Sequence, residues 1–227
     1  MNNLYALKYF EENGFSIIKP FKKTNFLDIY TKEWIRSILG EVASKEPSKL
    51  HLGVTNLEEY SKNLSQKKRH RSEEELINKI INVYKLNEFL YKNWSKTWSI
   101  WDEGFGSLGI RIVRPKSNDG YLWSCKAWGP AKNVISASIL IYSECNLATT
   151  SIIPYSHKLD TLPTISEKSI HCKDELRLDT KKFKTTNRIN PLNDNFEMLL
   201  THPKLIHTEK NFSDTSTRVS LEFRLQK

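Results

Sequence analysis

The chain has 227 residues, 38% of them hydrophobic, with 10 Phe, 9 Tyr and 6 Trp, so it can bury a core without disulfide staples; a disordered tail and a disulfide-built mini-domain are excluded. Its formal charge of +9 is concentrated in Lys67-Lys-Arg-His-Arg71 and Lys181-Lys-Phe-Lys184, with no helix-turn-helix, zinc-finger or RNA-binding signature beside it. Solvated loops or a small anionic ligand are therefore expected, not nucleic acid.

The three cysteines, Cys125, Cys145 and Cys172, are odd in number and lack metal-knuckle spacing, which fits a reducing compartment. The opening residues have no apolar signal region, and no apolar run approaches the roughly 20 residues of a membrane span. A cytoplasmic protein without a membrane partner is expected.

In chain order, residues 3 to 12 read as a short helix with Leu4, Leu7 and Phe10 on one side, ended by Asn13-Gly14. A strand follows over 15 to 20, then a helix over about 28 to 43 with Ile35, Ile38, Leu39 and Val42 at helical spacing. Residues 44 to 71 are polar and irregular. Ser72 and Glu75 form a capping-box pattern, and Leu76, Ile80, Val83 and Leu90 mark the buried stripe of one helix beyond it.

After residue 105 the period changes to two. Leu108, Ile110 and Ile112 alternate with Gly109, Arg111 and Val113, and Pro115 closes that strand. Further strands are expected over 134–142, 148–153, 196–200 and 217–225, with a long loop at about 154–195. In the last strand Val219, Leu221, Phe223 and Leu225 share one face, while Arg218, Ser220, Glu222 and Arg224 share the other. Helices followed by strands without βαβ alternation predict an α+β fold. The expected form is a jelly-roll, double-stranded β-helix with N-terminal helices packed on it. One domain is expected over 1–227, mainly helical to residue 104 and a barrel core from 105.

Four segments in order carry a family resemblance. They are Asn13-Gly-Phe-Ser-Ile-Ile-Lys-Pro20, Ile110-Arg-Ile-Val-Arg-Pro115, Ile153-Pro-Tyr-Ser-His-Lys158, and the closing stretch from His207 through Asn211 to Arg218-Val-Ser220. Together they resemble the phytanoyl-CoA dioxygenase-like branch of the Fe(II)/2-oxoglutarate-dependent oxygenases. The third has Tyr155 where that family usually has glycine. The resemblance implies that His207 is a metal ligand and that Arg218 grips a co-substrate carboxylate. It also implies a His-x-Asp pair, commonly followed by x-Trp, to complete the three-ligand iron face.

Here the matching stretch is Trp123-Ser-Cys-Lys-Ala-Trp128. With Trp128 as anchor, Ser124 stands in place of the histidine and Lys126 in place of the aspartate. A hydroxyl is a poor ligand for ferrous iron. An ammonium repels a dication by roughly 8 kcal/mol at about 4 Å and an effective dielectric near 20. Asp119 with His207 is the one rearranged metal pair considered; Asp102, Glu103, Cys125, His157, His171 and His202 read as loop or core groups.

The resulting expectation is a diverged barrel without the usual iron triad. It would bind a small anionic or sugar-like ligand, nucleotide-linked sugars included, through Arg218, Ser124, Trp128 and Asn211. His207 and Lys126 are the acid/base candidates for a non-oxidative step. Asn211 and Ser213 either shape a turn or contact ligand. Fe(II) and 2-oxoglutarate are expected as cofactors only under an alternative, an active hydroxylase with atypical ligands. A third reading is a non-catalytic partner or scaffold, and self-association into a homo-oligomer stays open.

Overall fold

The structure, a computed structural model, describes residues 3–39, 45–52, 72–93, 99–100, 108–116, 134–144, 149–161, 163–167, 175–179, 181 and 187–226. It is a mixed helix and antiparallel sheet arrangement. Helix α1 (Asn3–Asn13) turns at Gly14 into strand β1 (Phe15–Ile18), and α2 (Asn25–Leu39) follows. A 3-10 turn spans Pro47–Leu52; helices α3 (Ser72–Val83) and α4 (Leu86–Asn93) come next.

Ten strands are described in all. After β1 they are β2 (Ser99–Ile100), β3 (Leu108–Val113), β4 (Val134–Tyr142), β5 (Ser151–Ile152), β6 (Thr164–Glu167), β7 (Glu175–Leu178), β8 (Met198–Thr201), β9 (His207–Thr208) and β10 (Arg218–Gln226). The large sheet runs β1-β8-β4-β10-β2, with β3 also paired to β10. Two small antiparallel pairs, β5–β9 and β6–β7, lie apart from it.

The two faces of the large sheet bury different things. Ile135, Ala137, Ile139, Ile141, Leu200, Leu221, Phe223 and Leu225 pack with Leu27 of α2, Ile77 and Ile80 of α3 and Leu90 of α4. On the other face Phe15, Leu140 and Leu199 pack with Ile152 of β5, Leu192 and Leu205. The small β5–β9 pair thus covers the sheet face opposite the helices. Tyr142 on β4 also reaches out to α2, donating its hydroxyl to Asp28, which Lys32 salt-bridges at 3.0 Å.

The single helix expected after Ser72 is two. Its first half stops at Val83 because the Val83 carbonyl accepts the N–H of Phe21 at 2.9 Å. Tyr84 is buried and donates to the Phe196 carbonyl at 2.6 Å, and Lys85 takes a left-handed φ of 51°. Phe196, at φ 67°, likewise delays the strand expected there until Met198. The connection expected to be loop from 154 to 195 contains a 3-10 turn at Ser156–Lys158 and the β6–β7 pair.

Strand β10 is the axis of the site. It pairs β3 with Arg218 opposite Val113 and Ser220 opposite Arg111, and pairs β4 on its other edge. Against β4 the register shifts between Val219 and Ser220, so Ile141 is an extra residue there. A bulge of this kind bends the strand locally and re-aims side chains, and here it lies next to Arg218.

Candidate functional site

The start of β10 is fixed by the turn before it. Asn211 donates both amide hydrogens, to Val113 O at 2.9 Å and to Ser216 O at 2.7 Å, and accepts from the Ser213 N–H at 2.9 Å. Ser213 Oγ accepts from the N–H groups of Thr215 and Ser216 at 3.1 and 3.0 Å. The amide hydrogens of Asn211, a sequence candidate for ligand contact, are thus both spent on backbone carbonyls. Thr217 is gripped by the 3-10 turn: its N–H donates to Ser48 O at 2.7 Å, and its hydroxyl lies 2.9 Å from His51 Nδ1.

Arg218 follows directly and is only 1% exposed. Its Nη1 donates to Thr150 Oγ1 at 3.1 Å. Its Nε and Nη2 are buried and have no hydrogen-bond partner among the described residues. Those two atoms lie on one edge of the guanidinium plane, the edge that takes a carboxylate or phosphate with two parallel bonds. Leaving them unmet costs about 1–3 kcal/mol each. Burial holds the guanidinium below its usual pKa, Glu209 and Glu222 pull it back up, and Arg111 pushes it down.

Around Arg218 lies a charge cluster in which Glu209 is buried and Arg111 and Glu222 are half-buried. Arg111 Nε sits 3.1 Å from Glu209 Oε2, an ion pair without hydrogen-bond alignment, and Arg111 Nη2 sits 3.5 Å from Glu222 Oε2. Glu222 Oε1 in turn accepts the Ser220 hydroxyl at 3.4 Å.

His207, 6% exposed, lies on β9, where it is in register with Ile152 of β5. Thr150, the partner of Arg218, immediately precedes β5. The hydrogen bond from Arg218 to Thr150 therefore ties the large sheet to the small pair that carries His207. His207 Nδ1 is 2.9 Å from the Leu205 carbonyl, which leaves Nε2 to face other groups. A metal-ligating histidine uses its second nitrogen in this way.

The other sequence candidates, Ser124, Lys126, Trp128 and Asp119, lie outside the described residues, as do the three cysteines and Lys67 to Arg71. Of the substitute ligands weighed, His157 and His202 face each other, ring centroids 5.1 Å apart, at the α1–β1 turn. Among the described residues no group of three His, Cys, Asp or Glu converges to hold a metal ion. Sequence reasoning did not single out Thr150, Glu209 or Arg111. The available signals were the period of two, which pairs Glu209 with His207, and the alternation of β3.

No family model matches the sequence, and no curated protein matches it. Solved structures do. One is the epimerase SnoN in complex with Fe3+, alpha ketoglutarate and nogalamycin RO: TM-score 0.60, 10% identity, covering 99% of this chain and 83% of that one. A second is the non-heme alpha ketoglutarate dependent carbocyclase SnoK from nogalamycin biosynthesis, with TM-score 0.58, 15% identity, and coverage of 98% and 83%. The third is EctD from S. alaskensis with bound Fe: TM-score 0.57, 12% identity, coverage 100% and 76%. The chain shares the fold of the non-haem iron, 2-oxoglutarate-dependent enzymes.

Measured against that fold's cofactors, the residues divide. Arg218 fits a carboxylate, since two buried donors on one edge lack an acceptor among the described residues. His207 fits a metal ligand in its backbone-anchored ring. The family resemblance implies that the other two ligand positions fall on Ser124 and Lys126, a hydroxyl and an ammonium that would suit ferrous iron poorly; both lie outside the described residues.

Proposed function

We propose that this chain is a diverged, phytanoyl-CoA dioxygenase-like member of the oxygenase superfamily that holds a small anionic ligand against Arg218. The large sheet and the β5–β9 pair form the two walls of a jelly-roll barrel around it. One observation carries the reading: the Nε–Nη2 edge of a guanidinium that is 1% exposed has no acceptor among the described residues. A buried cation with two aligned, unmet donors is poor for stability and well prepared for a carboxylate or phosphate. A sugar carrying a phosphate belongs to the same ligand class.

The second half of the proposal is that iron is not used. Ser124 and Lys126 replace the ligand pair, and Lys126 would bring a cation to where the metal charge is expected. His207, with Nδ1 held by the Leu205 carbonyl, then exchanges a proton with the ligand through Nε2 and Lys126 assists, a non-oxidative step such as an isomerisation.

Titration calorimetry with 2-oxoglutarate and with succinate, with and without ferrous ion, tests this. Binding of either acid should be independent of ferrous ion and should weaken by at least about a hundredfold in Arg218→Met, the worth of two charge-assisted hydrogen bonds. Equal binding by wild type and Arg218→Met overturns the anion site. The structural neighbours in complex with Fe3+ and alpha ketoglutarate, or with bound Fe, support a second reading, an oxygenase with atypical ligands. Stoichiometric iron together with succinate formed from 2-oxoglutarate decides for it.

A further inference from the structure

A buried carboxylate, Glu209, shares the interior with the buried guanidinium of Arg218 and exerts the strongest anionic pull on it. Two such groups ordinarily close into a bidentate pair, because nothing else in a dry interior satisfies them as well. Here they do not: the one hydrogen bond of the Arg218 side chain to a described residue goes to Thr150. The carboxylate is turned instead to Arg111, whose Nε lies 3.1 Å from Glu209 Oε2.

Arg111 is well placed to hold it. It sits opposite Ser220 in the β3–β10 register, two residues along the strand from Arg218 and on the same face. Its other end is anchored at 3.5 Å to Glu222 Oε2, and Glu222 is itself bonded to the Ser220 hydroxyl at 3.4 Å. Among the described residues two cations, Arg218 and Arg111, therefore act on Glu209, and the one anchored to Glu222 is ion-paired with it.

We propose that Arg111 is a positioning residue that keeps Glu209 off Arg218, so that the Nε–Nη2 edge stays available to a ligand carboxylate. The proposal rests on the reading of Arg218 as the anion-binding group. Glu209 is then a built-in competitor for the site, and Arg111 sets how strongly it competes. Loss of the Arg111 charge lets Glu209 close onto Arg218 and occupy the edge that the ligand needs.

The test uses the full chain and two measurements. By calorimetry with 2-oxoglutarate, Arg111→Gln should bind roughly ten- to a hundredfold more weakly than wild type, the worth of a charge-assisted hydrogen bond. Adding Glu209→Gln to Arg111→Gln should restore binding to within about threefold of wild type, because the competitor is gone. A merely structural role for Arg111 predicts no rescue. Wild-type binding by Arg111→Gln, or a double variant as weak as the single one, overturns the proposal. Arg111→Lys, which keeps a cation on β3, serves if the glutamine variant does not fold, and should bind within about tenfold of wild type. A loss in Arg111→Lys equal to that of Arg218→Met also overturns it.

The second measurement needs no ligand. Denaturant unfolding of Glu209→Gln, Arg218→Met and their combination gives the coupling between the two residues. That coupling should be about tenfold larger, as an equilibrium factor, in the Arg111→Gln background than in wild type. Equal coupling in both backgrounds overturns the proposal. If no variant, wild type included, binds 2-oxoglutarate, the anion-site reading falls while the unfolding cycle still decides the role of Arg111.

Discussion

One strand, β10, shows two ways of using buried surface. On its helix side Val219, Leu221, Phe223 and Leu225 are at most 2% exposed and need only neighbours of the right shape. On the other side Arg218 and Ser220 are equally buried, yet Arg218 keeps two donors without acceptors among the described residues. The first face is complete as it stands. Among the described residues the second leaves two donors unmet, and it is on that difference that the proposed anion site rests.

Truncation on each face tests that separation most severely. Leu221→Ala should lower unfolding stability by about 3 kcal/mol, since Leu221 lies between Ile110 and Ile139 and is fully buried. Arg218→Met, equal in burial, should change it by no more than about 1 kcal/mol, because it removes unmet donors while Glu209 keeps Arg111. Similar losses for the two variants in urea unfolding would erase the contrast.

A smaller effect arises at the rim, where the helix-side core meets polar groups. His202 packs against Phe10 and faces His157, and its Nδ1 accepts the Lys204 N–H at 3.1 Å. Burial, then the charges of His157 and Lys204, push its pKa down to about 4. His157 is also lowered, chiefly by burial, with Lys158 and Lys204 adding to the effect and the Glu11 carbonyl opposing it. The unfolded chain takes up protons first as pH falls below about 6.5, so stability is full above that pH and is lost down to about 4. The loss should be about 2 kcal/mol after allowance for solvent screening, and His202→Asn should flatten it. A flat wild-type profile across that window would mean that the rim is as insensitive to charge as the apolar face.

The smallest effect belongs to Tyr155, which holds a left-handed φ of 65° while its side chain is exposed. Tyr155→Gly should raise stability by about 0.5 kcal/mol, relief of the backbone strain being partly offset by the chain entropy of glycine. A loss in thermal unfolding would show that the ring, near Lys158 Nζ at 5.8 Å, contributes more than its conformation costs.

How much of this was legible in the sequence follows from how local each cause is. The alternation of residues 134–142 and 217–225 is local, and β4 and β10 lie where it places them. The place of Arg218 at the head of β10 was legible because an arginine opening an alternating strand after a histidine and a polar turn is a contiguous pattern. The break at Tyr84–Lys85 was not, because Phe21 and Phe196 impose it from far along the chain. Asn211 could not be assigned for the same reason: its decisive partner, Val113 O, comes from β3. Glu209 and Arg111 needed the strand register before they could be read as a pair.

The grip on Thr217 has a last implication. Ser48 and His51 hold the residue immediately before Arg218, and His51 is 166 positions away from Thr217 in sequence. The aim of the guanidinium is thus borrowed from a short turn near the other end of the chain. On the proposed reading of Arg218 as the anion-binding group, adjusting that turn offers a remote handle on affinity, a way to tilt the guanidinium without altering any atom a ligand would touch.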